Sequence, residues 1–488
     1  MATGTRQGGF VRRIAVVVGV VLALLLAYAT LDVVDVVPGV LTRAPLPTSA
    51  PSITPTTSAT ATAPVPRPAP AGMPLAGATG SAPQPTPAGL RAALASFLVD
   101  PRLGGSPGVA VRDALAGTHL LDQDPDTPRI PASTVKLLAA AAIDATFPAG
   151  SVLTTRAVRG TTPDRLVLLA GGDTLLAPGA GDATAVVGHA GLGDLAAATA
   201  AALRAQGTAA VTLSVDLSYA PGPLVAPTWS PSYRPTGITG AVTMLGLSSA
   251  RALPALPGPA DPVAVARSAF AAALRAGGIQ VTVDPVATTT TPPGAPVYAS
   301  VASAPVAEQI ALALRESDNA LTETLARQAA YRSGVAGGFA ETAAWVRGTV
   351  AALGIDVTGV ATVDASGLSR QDVVPTRVIA DVLALGAGTK LPTLRETLRG
   401  LSIAGLDGSL AARFEDATTR AGAGVVRGKT GTLTGVSSLA GTLVTADGRL
   451  LVYAVIANGI PPTGAGTLAA REALDELVTR LAGCGCQA

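Results

Sequence analysis

The sequence predicts an α+β protein with strand-rich material inserted near its middle. Three observations predict it. Paired strand signals stand near both ends of the body, at 108–124 and 437–458. Apolar helical runs sit beside them, at 131–147 and close to the C-terminus. Between about 155 and 300 the texture changes to short strand-like runs broken by many Pro and Gly turns, which reads as one or more inserted domains.

From the N-terminus, Arg6, Arg12 and Arg13 precede an uncharged run over 14–31, with no acid before Asp32. Its length lies between a signal-peptide core and a short membrane span. Ala27-Tyr28-Ala29 offers a small-x-small cleavage site, and the basic flank equally suits an uncleaved anchor. Residues 1–37 are thus expected to be a signal peptide or membrane anchor, and either exports the rest. Residues 38–88 are Pro, Thr, Ala and Ser with almost no large apolar side chain, too little to offset ordering entropy. A disordered linker is expected there.

The body begins near Gly89 with a short helix, LRAALASFLV. Residues 108–124 alternate like two strands about a turn at Gly117, and PASTVKLLAAAAIDATF predicts a buried helix starting near Ser133. In the insert, RLVLLAGG, VTLSVDLSY and IQVTVDP read as strands, with Ala-rich helices near 190–206 and 262–276. Two long strands joined at Asp447-Gly448 fill 437–458. Leu474, Leu477, Val478 and Leu481 give the stripe of a C-terminal amphipathic helix.

Apolar residues make up 48% of the 488 and aromatics 3%, so the cores are aliphatic and Ala-rich. The net charge of +2 is interspersed, with no basic stripe to suggest nucleic acid as a partner. His119 and His189 are too far apart for a zinc ligand spacing, and they leave little room for a Ser-His-Asp triad. The match GGSPG at 104–108 is a loop, because Pro107 has no N–H to give an oxyanion. Cys484 and Cys486 read as a frayed tail with exposed thiols or as a local disulfide. No metal or organic cofactor is called for.

Only three of the 34 basic residues are lysine: Lys136, Lys390 and Lys429. Where charge alone is wanted this sequence writes arginine, so a lysine is a candidate for giving up its proton. In PASTVK, Ser133 and Lys136 lie one helical turn apart on one face. Burial beside Val135, Leu137 and Leu138 would push the amine toward its neutral form, able to activate the hydroxyl. The bland alternative is a helix-start serine and a snorkelling lysine. In RGKTGTLTG at 427–435, Lys429 and Thr430 suit a carboxylate, and Gly431 lets an extended substrate approach as an added strand; the alternative is a basic turn. In ESDNALTETLAR at 316–327, Ser317 and Asn319 flank Asp318 before a helix, and as an isolated tripeptide this is an N-cap before it is a catalytic loop.

Their order says more than any one of them. S-x-x-K, then S-x-N, then K-T-G resembles the signature set of the penicillin-binding proteins and serine β-lactamases. The long gap from Lys136 to Ser317, with VDASGLSR (363–370), IAGLDGSLAARF (403–414) and LVLLAGGDTLL (166–176), is similar to the low-molecular-mass class C penicillin-binding proteins, the D-alanyl-D-alanine carboxypeptidases and endopeptidases. The resemblance spans roughly 89–482, and Thr322 stands where relatives often have Ala.

The resemblance implies a penicillin-binding protein/serine β-lactamase-like transpeptidase fold. Residues 89–154 and 301–488 would combine into an antiparallel sheet flanked by helices, and 155–300 would form separate strand-rich lobes. It implies Ser133 as nucleophile, Lys136 as base, Ser317 as proton relay and Asn319 as holder of a substrate amide. Lys429 and Thr430 would bind the terminal carboxylate, and the N–H groups of Ser133 and Thr432 the oxyanion. Expected partners are peptidoglycan stem peptides, β-lactams as acylating inhibitors, and a membrane if the leader is uncleaved. A β-lactamase, or a non-catalytic wall-binding protein of the same fold, is the rival reading.

Overall fold

The computed structural model describes residues 81–284, 288–388 and 390–486, and both ends of that span feed one sheet. The N-terminal side supplies α1 (Pro87–Leu94), β1 (Gly108–Asp113), β2 (His119–Gln123), the short β3 (Pro128–Arg129) and α2 (Lys136–Thr146). The inserted stretch supplies β4 (Thr154–Arg159), β5 (Arg165–Leu169), α3 (Leu192–Ala205) and β6 (Ala210–Asp216). It continues through α4 (Pro262–Ala276), β7 (Gln280–Val283) and β8 (Val297–Ala302). Helices α5 (Val306–Glu316), α6 (Asn319–Arg332) and α7 (Phe339–Ala352) follow, then β9 (Val374–Pro375), α8 (Thr376–Ala387) and α9 (Pro392–Arg399). The chain closes with β10 (Ser402–Ile403), β11 (Arg427–Leu433), β12 (Val436–Val444), β13 (Leu450–Asn458) and α10 (Gly464–Ala482).

The main sheet has the order β10-β11-β12-β13-β1-β2 and is antiparallel throughout. Strand β1 pairs with β13 from Gly108↔Ile456 to Asp113↔Leu451, so the first strand of the body sits beside the last. Alternation on β13 divides the interior. Val452, Ala454 and Ile456 face a core shared with α2 and α5–α9, while Leu451, Tyr453, Val455 and Ala457 face α1 and α10. Leu474, Leu477, Val478 and Leu481 of α10 are all fully buried in the second core. In α2, Ala139, Ala140, Ala141 and Ala142 are buried all round. Side chains this small let neighbouring helices close on α2 from every side, which fixes the turn at its start.

The inserted stretch is strand-rich, as expected, but forms one five-stranded sheet. Its sheet, β7-β6-β5-β4-β8, is mixed: β5, β6 and β7 run parallel, joined through α3 and α4. Parallel neighbours need long crossovers, and the two Ala-rich helices are those crossovers. Nor is it separate, because the largely irregular residues between β6 and α4 return to the main domain.

The folded body also starts earlier than Gly89. Pro87 opens α1 with Thr86 as its cap, and Ala82 is buried. The C-terminal tail is not frayed. Cys484 and Cys486 are joined in a disulfide, Cys484 is buried in the second core, and the Thr86 N–H donates to the Cys486 carbonyl (2.8 Å). Among the described residues no helix is long and apolar enough to cross a membrane. The apolar run at 14–31 and most of the expected linker lie outside the described residues.

One buried acid in α2 has no ion-pair partner among the described residues. Asp144 is 5% exposed, its Oδ2 has no hydrogen bond among the described residues, and burial pushes its carboxyl up to about 7. A carboxyl raised by folding is no burden below its unfolded pKa and costs progressively more as pH climbs to about 7. Asp144→Asn is therefore expected to stabilise the fold at pH 8, by on the order of 2–4 kcal/mol. The gain should vanish near pH 4, as thermal melting at the two pH values would reveal.

Candidate active site

Two of the three lysines are fully buried, Lys136 and Lys429, and the third, Lys390, is exposed. Both buried amines lie beside one cleft of about 640 Å³, whose lining includes Ser133, Ser317, Asn319, Thr430 and Thr432. The four side chains at 133, 136, 317 and 429 thus converge. Neither histidine lines this cleft.

Ser133 stands in a 3₁₀ turn, Ala132–Val135, that runs directly into α2 at Lys136. The turn is pinned from below. Asn458 on β13 accepts from the Ile130 N–H (2.8 Å) and donates to its carbonyl (3.1 Å), and the Ser438 hydroxyl donates to the Pro131 carbonyl (2.7 Å). Lys136 Nζ then lies 2.9 Å from Ser133 Oγ, 2.5 Å from Asn319 Oδ1 and 2.6 Å from the Ser366 carbonyl oxygen. Burial lowers its pKa to about 8, opposed by the charges of Asp364, Glu323, Asp318 and Asp372.

Ser317 ends α5 in the left-handed region, φ +59°, and Asp318 caps α6 by accepting the Leu321 N–H (2.9 Å). The N-cap expectation is met, and the cap is what sets Asn319 at the first position of α6. Asn319 Nδ2 donates to the Ile238 carbonyl (2.6 Å), which turns Oδ1 toward Lys136. Only one amide hydrogen is left for a substrate, so this side chain serves the amine first. Across the cleft, Lys429 Nζ donates to Ser317 Oγ (2.9 Å) and to the Thr430 carbonyl (2.7 Å). Burial holds this amine well below its ordinary value, and the positive charges of Lys136 and Arg413 push the same way. Thr430 Oγ1 bonds Ser409 Oγ (3.0 Å), in the stretch IAGLDGSLAARF.

Strand β11 presents these residues because β10 covers only its first two positions, Arg427 and Gly428. Beyond them its outer edge is open among the described residues. Gly431 is needed for a reason other than substrate approach. A Cβ there would stand 2.2 Å from Ser438 Oγ, 2.7 Å from the Pro131 carbonyl and 3.1 Å from the Ser133 nitrogen. The glycine lets the strand close on the turn that carries Ser133.

Residues that the motifs did not single out complete the site. Glu323 Oε1 accepts the N–H groups of Ala365 (2.9 Å) and Ser366 (2.8 Å), and Asp364 accepts those of Ser366 (3.0 Å), Gly367 (2.6 Å) and Ser369 (2.8 Å). Together they fasten the loop whose Ser366 carbonyl holds Lys136. Burial first, and then the charge of Asp364, push Glu323 up to about 8 and Asp372 up to about 9. Near neutrality this cluster therefore carries less negative charge than its three acids suggest. The signal for Glu323 was its spacing: four residues after Asn319, it shares a face of α6.

An antiparallel sheet flanked by helices, with the S-x-x-K, S-x-N and K-T-G segments meeting in one cleft, defines a penicillin-binding protein of the low-molecular-mass class C. The sequence profile of the D-Ala-D-Ala carboxypeptidase 3 (S13) family matches residues 90–246 and 237–482, and the chain belongs to that family. A carboxypeptidase of Mycobacterium tuberculosis is 35% identical over 404 residues, 82% of this chain and 84% of that protein. The carboxypeptidase DacB of Mycolicibacterium smegmatis is 35% identical over 406 residues, 82% and 85% of the two chains. The crystal structure of penicillin binding protein 4 from Haemophilus influenzae shares the fold, with a TM-score of 0.62 at 18% identity, covering 77% of this chain and 96% of that one.

Gly431→Ala is expected to cost about 1–3 kcal/mol, the usual range for overpacking. Gly348→Ala, in the exposed interior of α7 with open space around its Cβ, is expected to gain about 0.5–1 kcal/mol. Denaturant melts of the two variants should move in opposite directions.

Proposed function

We propose that this chain is an exported serine-type D-Ala-D-Ala carboxypeptidase that acts on peptidoglycan stem peptides through an acyl-enzyme on Ser133. One observation carries the reading. Lys136 Nζ faces two groups that can only accept, Asn319 Oδ1 and the Ser366 carbonyl, and one hydroxyl, Ser133. A neutral amine has two N–H bonds for the two acceptors and one lone pair for the Ser133 O–H. An ammonium would meet the same three oxygens, so it is burial that favours the neutral base form here.

In this mechanism Ser133 Oγ attacks the carbonyl carbon of the penultimate D-Ala as its proton passes to Lys136. The N–H groups of Ser133 and Thr432 hold the oxyanion. Lys429 and Thr430 bind the terminal carboxylate, which restores charge to an amine that burial had disfavoured. When the C–N bond breaks, the leaving amine takes the proton from Lys136 through the Ser317 hydroxyl. Terminal D-Ala departs and water hydrolyses the ester. A cross-linking amine in the same position would make the reaction an endopeptidase one.

The family and the carboxypeptidase relatives support this substrate class. A structure of the Haemophilus influenzae protein is complexed with a β-lactam, which supports such compounds as partners here. The work lies outside the cytoplasm, with the N-terminal apolar run as signal or anchor. The mass of the mature N-terminus separates those two.

Labelled penicillin is expected to mark the wild-type chain at one residue and to leave Ser133→Ala unmarked. Label on Ser133→Ala, or none on wild type, overturns the reading. Lys136→Arg should acylate about 10²–10⁴-fold more slowly, because guanidinium cannot serve as the base. The wild-type acylation rate should rise with pH and level off above about 8, since only the neutral Lys136 amine takes the proton. A rate that falls across that range would exclude the amine as base. Rapid turnover of the antibiotic would mark a β-lactamase instead.

A further inference from the structure

The inserted stretch reaches the site at two segments, 316–319 with the S-x-N motif and the loop at 363–370. Between β6 and α4, Trp229, Ile238 and Arg251 each touch a group that holds a reacting residue in place. The Ile238 carbonyl fixes the Asn319 amide, as described above. The other two contacts are made by side chains.

Arg251 acts on the bend at Ser317. Its Nη2 meets Glu316 Oε2 at 2.7 Å and Asp318 Oδ2 at 2.8 Å, and its Nε meets Asp318 Oδ2 at 3.2 Å. Glu316 and Asp318 are the residues on either side of Ser317, whose φ of +59° is one a non-glycine residue keeps only when its surroundings hold it there. One planar guanidinium grips both flanks of that bend, a geometry that a lysine's single point of charge does not reproduce. The consequence is the position of Ser317 Oγ on Lys429 Nζ.

Trp229 acts on the loop behind Lys136. Its indole N–H donates to Asp364 Oδ2 (2.7 Å), the carboxylate that gathers the Ser366, Gly367 and Ser369 N–H groups. The ring packs edge-on against Phe339 of α7, centroids 5.1 Å apart. The bond is buried and joins the inserted stretch to the loop whose carbonyl orients the amine.

We propose that this irregular segment of the insert is a positioning element for acyl transfer, with Arg251 and Trp229 as its positioning residues. The inference rests on the serine acyl-enzyme reading above. Neither residue exchanges a proton or an electron pair with substrate; each sets where Ser317 or Lys136 stands.

The test measures penicillin acylation of the full chain at saturating and sub-saturating antibiotic, separating the acylation rate constant from the dissociation constant of the preceding complex. Arg251→Gln and Trp229→Phe are each expected to lower the rate constant roughly 10–100-fold, the scale of a misplaced reacting group. The dissociation constant should stay within about threefold. In a Ser317→Ala background the Arg251→Gln effect is expected to disappear, because its target is gone. Acylation at the wild-type rate in both variants overturns the proposal. So does an Arg251→Gln loss of equal size with and without Ser317, which would mark general loosening. Should Arg251→Gln fail to fold, Trp229→Phe decides alone, since it keeps the ring on Phe339 and removes one N–H. No label on wild type sinks the acyl-enzyme reading; label on wild type with unaffected variants sinks this inference only.

Discussion

A fully buried amine with three oxygen neighbours is the constraint around which this molecule is built. Those neighbours come from the turn before α2, the first residue of α6 and the loop before β9. Each needs its own support. The turn is tied to β12 and β13, α6 is capped by Asp318, and the loop is fastened by Glu323 and Asp364. Burying lysine without partners is costly. Here the cost is offset by three oxygen neighbours, and burial favours the neutral form that the proposed mechanism needs.

Much of this was legible because the sequence is so short of lysine. Against a background of arginine, Lys136 and Lys429 stood out, and the spacing to Ser133, Ser317 and Thr430 could be read from their side chains. The hairpin at Asp447-Gly448 and the stripe on α10 were likewise patterns of side chains repeating along the chain. What stayed hidden works through the backbone or through distance. Ser366 contributes a carbonyl, which its side chain does not advertise. Glu323, Asp364 and Asp372 look like ordinary acids until the fold packs them together. Gly431 was noticed, but the neighbour that forbids a Cβ there is Ser438, on the adjacent strand. The parallel pairing of β5, β6 and β7 was missed although strands alternating with Ala-rich helices are the pattern of parallel crossovers.

The insert illustrates the same divide. Its Pro and Gly turns between β6 and α4 read as part of an inserted domain, and this stretch holds almost no regular structure. Yet irregular backbone is what allows Trp229 to reach the loop at 363–370 while Ile238 and Arg251 reach the 316–319 segment. A helix would present its residues on one face and a strand on two. Lack of regular structure here suits contacts that face two separate segments of the main domain.

The two buried amines must also be considered together. Each is pushed toward its neutral form by burial, and the charge of Lys136 counts against that of Lys429. By reciprocity, a charged Lys429 would count against charge on Lys136. The acid cluster lies on the Lys136 side and is partly neutral itself, so it does not balance both amines. An empty site therefore disfavours two ammonium groups at once. A substrate carboxylate beside Thr430 changes this without disturbing the base. It pairs with Lys429, and seen from Lys136 the ammonium and the carboxylate nearly cancel. Lys429 can then be charged while Lys136 stays neutral, the one assignment of protons that both binds a terminal carboxylate and activates Ser133. On the proposed mechanism, a preference for a free C-terminal carboxylate would follow electrostatically from placing two buried lysines beside one cleft.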